Sequence, residues 1–69
     1  MKTLPIRISA IKTGDIFCED VAGQILRCVA LDDVVEDELG WTVRASTPLG
    51  SRDFFEARGG VRLRLFIET

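Results

Sequence analysis

The residues able to do chemistry are unevenly distributed. The chain has eleven carboxylates, nine lysines and arginines, two cysteines and no histidine. Without histidine there is no ordinary Ser-His-Asp or Cys-His pair. Ser9, Ser46 and Ser51 have no visible base. The carboxylate pairs Asp32–Asp33 and Asp53–Glu56 need a pocket that shifts their pKa values before they can act as acid and base. A domain this small rarely builds one, so they read as solvated surface groups. Gly59-Gly60 lacks the lysine and following helix of a phosphate loop. The expectation is a non-enzyme with no cofactor, no metal and no small-molecule substrate.

The two cysteines lie symmetrically about Gly23. A hairpin with its tip at Gly23 sets Cys18 opposite Cys28, within reach of a disulfide. The plainer reading is two reduced thiols packed as small apolar side chains. Zinc wants four ligands, usually Cys and His, and the chain offers two cysteines.

Charge divides the chain into three parts. Lys2, Arg7 and Lys12 open it. Asp15, Glu19, Asp20, Asp32, Asp33, Glu36, Asp37 and Glu38 then face a single Arg27. Arg44, Arg52, Arg58, Arg62 and Arg64 follow, against Asp53, Glu56 and Glu68. The run Asp32, Asp33, Glu36, Asp37, Glu38 is an acidic surface. It lacks the spacing of a calcium loop. It reads as a solubilising loop or as an imitation of a phosphate backbone offered to a nucleic-acid-binding partner. Strand alternation puts Arg44, Arg62 and Arg64 on outward faces, and Phe66 continues the Arg62–Arg64 face. Such a surface binds single strands by phosphate contact and base stacking. The acidic isoelectric point near 4.9 argues instead for cross-strand pairing of these arginines with Asp53, Glu56 and Glu68.

The aromatics give the third candidate. Phe54 and Phe55 must point to opposite faces of a strand. Phe17, Phe54 and Phe66 are assigned to the outside of the main core, with Val35 and Leu39 of the acidic run, as a protein-contact surface or, equally, as the cover of a second small core beneath the acidic loop.

The elements that position these residues are short strands cut by glycine turns. Leu4, Ile6 and Ile8 alternate with Pro5 and Arg7, as in a strand with one buried face. Pro5 makes it an edge strand or marks its start. Lys12–Asp15, Asp20–Gly23, Pro48–Ser51 and Arg58–Gly60 read as turns. Ile16–Cys18, Gln24–Leu31, Trp41–Ser46, Arg52–Glu56 and Val61–Ile67 read as strands. Residues 32–39 read as a loop or a single helical turn, ended by Gly40. The expected core is Leu4, Ile6, Ile8, Ile16, Cys18, Val29, Leu31, Trp41, Val43, Phe55, Val61, Leu63 and Leu65.

Sixty-nine residues, 46% of them hydrophobic, make one domain with one core, of modest stability. Pro5 and Arg7 break any signal-peptide stretch, and no apolar run approaches a membrane span. The expectation is a cytoplasmic domain over residues 1–69 with no membrane partner. Strands of this length and spacing suggest an all-β domain, a five- to six-stranded antiparallel barrel that hides its edges by closure.

The order Lys12-Thr13-Gly14-Asp15-Ile16-Phe17, Gly23, acidic loop, Trp41-Thr42-Val43, Gly50 and a closing β run resembles the SH3-like small barrels over roughly residues 10–67. That resemblance implies a binding role without a fixed ligand, as in phage-type or regulatory proteins that dock on larger complexes. The chain departs from the family's methyl-cation and proline-peptide readers, since it has no tyrosine for an aromatic cage or groove. The functional expectation is a protein-binding module whose partner is another protein or a second copy. The alternative is a nucleic-acid-binding barrel using Arg44, Arg62 and Arg64.

Overall fold

The computed structural model describes residues 2–60 and 64–68, with side chains for residues 5–60. Seven strands form one antiparallel sheet: β1 (Lys2–Ile6), β2 (Ile16–Val21), β3 (Gln24–Ala30), β4 (Val35–Glu36), β5 (Gly40–Thr47), β6 (Gly50–Ala57) and β7 (Arg64–Glu68). The order is β1-β7-β2-β3-β5-β4, and β6 pairs with the other side of β5. A 3-10 turn, Ile8–Ala10, joins β1 to β2. The chain is all-β and antiparallel, as its alternation dictates. It is not a closed barrel: β1 pairs with β7, β6 pairs with β5, and no ladder joins β1 to β6 among the described residues. The arginine fork of Arg7 spans the gap instead. Its Nη1 donates to the Gly60 carbonyl at 2.7 Å and lies 3.8 Å from Glu56 Oε2.

The β2–β3 hairpin fixes the register. Its turn is Ala22-Gly23, with φ of 53° and 83°, the pair of positive angles that a two-residue type I′ turn requires. Asp20 Oδ1 accepts from the Gly23 N–H at 2.9 Å and holds the turn. The axis therefore falls between residues 22 and 23, not on Gly23. Phe17 stands opposite Cys28, and Cys18 stands opposite Arg27. The two cysteines point to opposite faces and are both free thiols.

The core is the inner face of the curled sheet. Ile8, Ile11, Phe17, Leu26, Cys28, Ala30, Val43, Ala45 and Phe54 are buried, and Ile6, Val21, Val34 and Trp41 pack against them. Phe17 and Phe54 meet edge to face, with centroids 6.0 Å apart and planes at 83°. Such a contact adds to the burial of both rings. Several expectations need correction. Phe17 and Phe54, assigned to the outside, are core residues. Phe55, Leu31, Ile16, Cys18 and Val29, assigned to the core, lie on the other face or at its margin, where Phe55 and Leu31 are exposed and the rest half-buried. The cause is common to β2, β3 and β6. These strands carry apolar residues on both faces, so alternation gives two faces without saying which is inner. The inner face is the one on which two phenylalanines meet.

Ile8 is buried as expected, through the 3-10 turn rather than through a strand, because β1 ends at Ile6. The side chains of Leu4, Arg64, Leu65 and Phe66, and all of Val61, Arg62 and Leu63, lie outside the described residues. Among the described residues no helix is long and apolar enough to cross a membrane.

Candidate functional site: an exposed row and an open strand edge

The acidic run is tied down rather than loose, and it carries the first half of the site. Thr13 donates its backbone N–H at 2.9 Å and its hydroxyl at 2.7 Å to Asp33 Oδ1. These two bonds hold the Asp33 carboxyl below its ordinary range. Asp37 Oδ1 accepts from the N–H groups of Leu39 and Gly40, closing the turn into β5. Glu36 pairs with Arg58 at 2.9 Å, and Arg58 also donates to the Asp37 carbonyl. The Arg58 guanidinium lies over the Trp41 ring, 4.9 Å from its centroid. The run is thus a loop containing the short strand β4, pinned to the turn before β2, to the start of β5 and to the turn after β6. It is not a helical turn.

Pinned this way, β4 lays an apolar row across the outer face. Val35 stands opposite Thr42, and Thr42 stands opposite Phe55. Directly opposed residues share a face. Val35 is 64% exposed and Phe55 51% exposed. Leu39, 73% exposed, lies in the turn that leads into β5. The next row along the same face is Arg44 opposite Asp53. The surface is an apolar strip edged by a charge pair, the composition of a contact patch with a polar rim.

The second half of the site is the edge of β6. A cleft of about 630 Å³ is lined by Glu19, Asp20, Val21 and Ala22 on one side and by Ser51, Arg52, Asp53, Phe54 and Phe55 on the other. Consecutive strand residues point to alternate faces. A cleft lined by five in succession is therefore bounded by the strand's edge, not by one of its faces. Among the described residues β6 pairs with β5 alone.

Of the residues assigned to protein contact, the structure exposes Val35 and Leu39, buries Phe17 and Phe54, and leaves the Phe66 side chain outside the described residues. Of the nucleic-acid set, Arg44 is exposed and stands opposite Asp53 in the β5–β6 register. Arg62 and the side chain of Arg64 lie outside the described residues. Asp32, Asp33, Glu36, Asp37 and Glu38 are all exposed. Three of the five have the structural tasks described above.

Phe55 is the exposed aromatic that sequence reasoning placed in the core, and a signal for its true side existed. Trp41, Val43 and Ala45 are correctly read as one inner face. The β5–β6 loop is the two residues Pro48-Leu49, with Thr47 opposite Gly50. Counting back from that turn sets Phe54 opposite Val43 and sends Phe55 outward. The cysteines take no part. Burial, with Glu19 and Cys18 nearby, pushes the Cys28 thiol up to about 11, so it stays protonated and unreactive at neutral pH.

No protein family, no curated protein and no solved structure matches this chain. The class it belongs to is the one its own geometry defines: a small all-β domain with an open, curled antiparallel sheet.

Proposed function

We propose that this chain is a non-enzymatic protein-binding module and that its contact is the outer strip of Val35, Thr42 and Phe55, with Leu39 at its margin. One observation carries the reading. Two large apolar side chains, more than half exposed, stand in one cross-strand row on a face whose geometry is fixed by β-ladders. A rigid exposed apolar row beside a charge pair is the surface that a partner's apolar anchors cover.

Affinity capture from the native host's lysate tests this, comparing the tagged chain with V35S/F55S. Both positions are exposed, so the variant keeps the fold, which circular dichroism verifies. Proteins recovered with the parent chain are lost with the variant. Recovery of the same proteins by both overturns the reading. A dimer of the parent chain that the variant cannot form identifies the partner as a second copy.

A further inference from the structure

We infer that the apolar residues held exposed around β4 dock a cationic segment of another protein, one that sets an apolar side chain among lysines or arginines. The inference rests on the protein-binding reading and names the partner's chemistry. The surface is Leu31, Val35 and Leu39, with the carboxylates Asp32 and Glu38. The Leu31 N–H donates to the Arg44 carbonyl at 2.8 Å, and Val35 stands opposite Thr42, two residues earlier on β5. Leu31 and Val35 therefore flank β5 about 7 Å apart along the strand. Both side chains are exposed, and so is Leu39 at the turn into β5. The backbone beneath them is held. Val34 packs on the core, Asp33 is bonded to Thr13, and Arg58 grips Glu36 and the Asp37 carbonyl. A surface ordered before binding loses little entropy when it is covered. A loop that served solubility alone would need neither the apolar residues nor the ties.

Charge names the occupant. Residues 32–38 hold five of the chain's eleven carboxylates and no lysine or arginine. Glu36 is paired with Arg58, and Asp33 and Asp37 accept the hydrogen bonds that shape the loop. Asp32 and Glu38 are exposed and make no hydrogen bond or ion pair among the described residues. They stand three residues before and three residues after Val35, one toward each end of the apolar surface. An apolar contact bordered in this way favours a partner whose apolar anchor is bordered by cations, and steers it during approach. A second copy is a poor occupant. Copies at net charge −2 repel each other, and Arg7 and Arg58 are committed within their own chain.

The test uses the full isotope-labelled chain and three blocked amphipathic peptides of one length: Leu with Lys, Leu with Glu, and Ser with Lys. The Leu-Lys peptide shifts the amide signals of residues 31–39 and of Thr42, and its affinity falls several-fold from low to physiological salt. The Leu-Glu and Ser-Lys peptides bind about tenfold more weakly or worse, the first for charge and the second for want of an apolar anchor. D32N/E38Q weakens the Leu-Lys peptide several-fold, and V35S/L39S does the same. Q24K/I25K makes the same change in net charge as D32N/E38Q, at the exposed start of β3, and binds the peptide as the parent does. All these positions are exposed, and circular dichroism verifies that the variants keep the fold.

Equal binding of the Ser-Lys or the Leu-Glu peptide overturns the inference, since charge or apolar area alone then accounts for it. So do equal weakening by Q24K/I25K and D32N/E38Q, shifts confined to other residues, or no binding of the Leu-Lys peptide. Concentration-dependent shifts of the same amides without peptide make a second copy the occupant and also overturn it. The two readings fail separately. If V35S/F55S loses its captured proteins and D32N/E38Q keeps them, the contact surface stands without a cationic partner. If V35S/F55S keeps them, the protein-binding reading falls and takes this one with it.

Discussion

Two edge strands of the sheet, β1 and β6, are built differently. The β1 edge carries Pro5, whose nitrogen cannot donate to an added strand, and the chain after it is clamped by Arg7 to Gly60 and Glu56. The β6 edge has eight residues, no proline, and a cleft along its first half. Proline on an edge is a standing defence against unwanted pairing. The β1 edge therefore carries its own defence against pairing, and β6 has no such residue along its cleft. Charge separates them further. The lining of the cleft along β6 carries Asp20 and Asp53 beside Arg52.

The largest effect that sharpens this contrast lies within β6. Phe54→Ala empties a core position beside Phe17 and costs about 3–5 kcal/mol, whereas Phe55→Ala changes stability by about 1 kcal/mol or less. Urea unfolding of the two variants checks this, and equal losses break the assignment of inner and outer faces. Gly40→Ala comes next. Gly40 has φ of 154°, and a Cβ there would run into the Glu56 backbone carbonyl of the neighbouring strand. Separation of β5 from β6 costs about 3 kcal/mol, read as a lowered unfolding midpoint with loss of protection along β6.

Arg7→Ala removes the clamp between the blocked edge and the end of β6. It lowers stability by about 1 kcal/mol, with faster hydrogen exchange at Gly60 and at the end of β6 rather than across β3. Pro5→Val leaves stability within about 0.5 kcal/mol of the parent. It restores a donor to the β1 edge and raises concentration-dependent association by light scattering. If association is unchanged, Pro5 is not what keeps that edge unpaired.

The smallest effect is a pH dependence remote from both edges. The Asp33 carboxyl is held below the usual value of 3.8 by its bonds from Thr13. A depressed folded value means that the stabilisation is complete above the ordinary aspartate range and is lost as the pH falls through the depressed value. Asp33→Ala is therefore less stable than the parent near neutral pH, and the difference shrinks in acid as the carboxyl protonates. Urea midpoints at neutral and at acid pH measure it. A constant difference breaks the assignment of the Thr13 tie.

Much of the fold was legible. Gly14, Gly23, Gly50 and Gly59 all adopt positive φ in the turns or turn junctions where their spacing put them. Alternation marked Trp41, Val43 and Ala45 as one face, and Pro5 as an edge residue, because both follow from local sterics and the period of a strand. The candidate site was legible only in part. Val35 and Leu39 stood out as apolar residues in an acidic run, and they are exposed. Phe17, Phe54 and Phe55 were assigned to the wrong sides, because a single turn position shifts every residue of a strand between faces.

What the sequence determined by itself is what each residue decides locally: an all-β chain, its turns, its lack of histidine and its acidic middle. What only the tertiary structure decided is which face became the core and that the sheet did not close into a barrel. Those outcomes depend on contacts between residues far apart in the chain: Phe17 on Phe54, Arg7 on Gly60, Thr13 on Asp33. Alternation allows either face to be buried, and the choice falls to the packing that closes around the two rings.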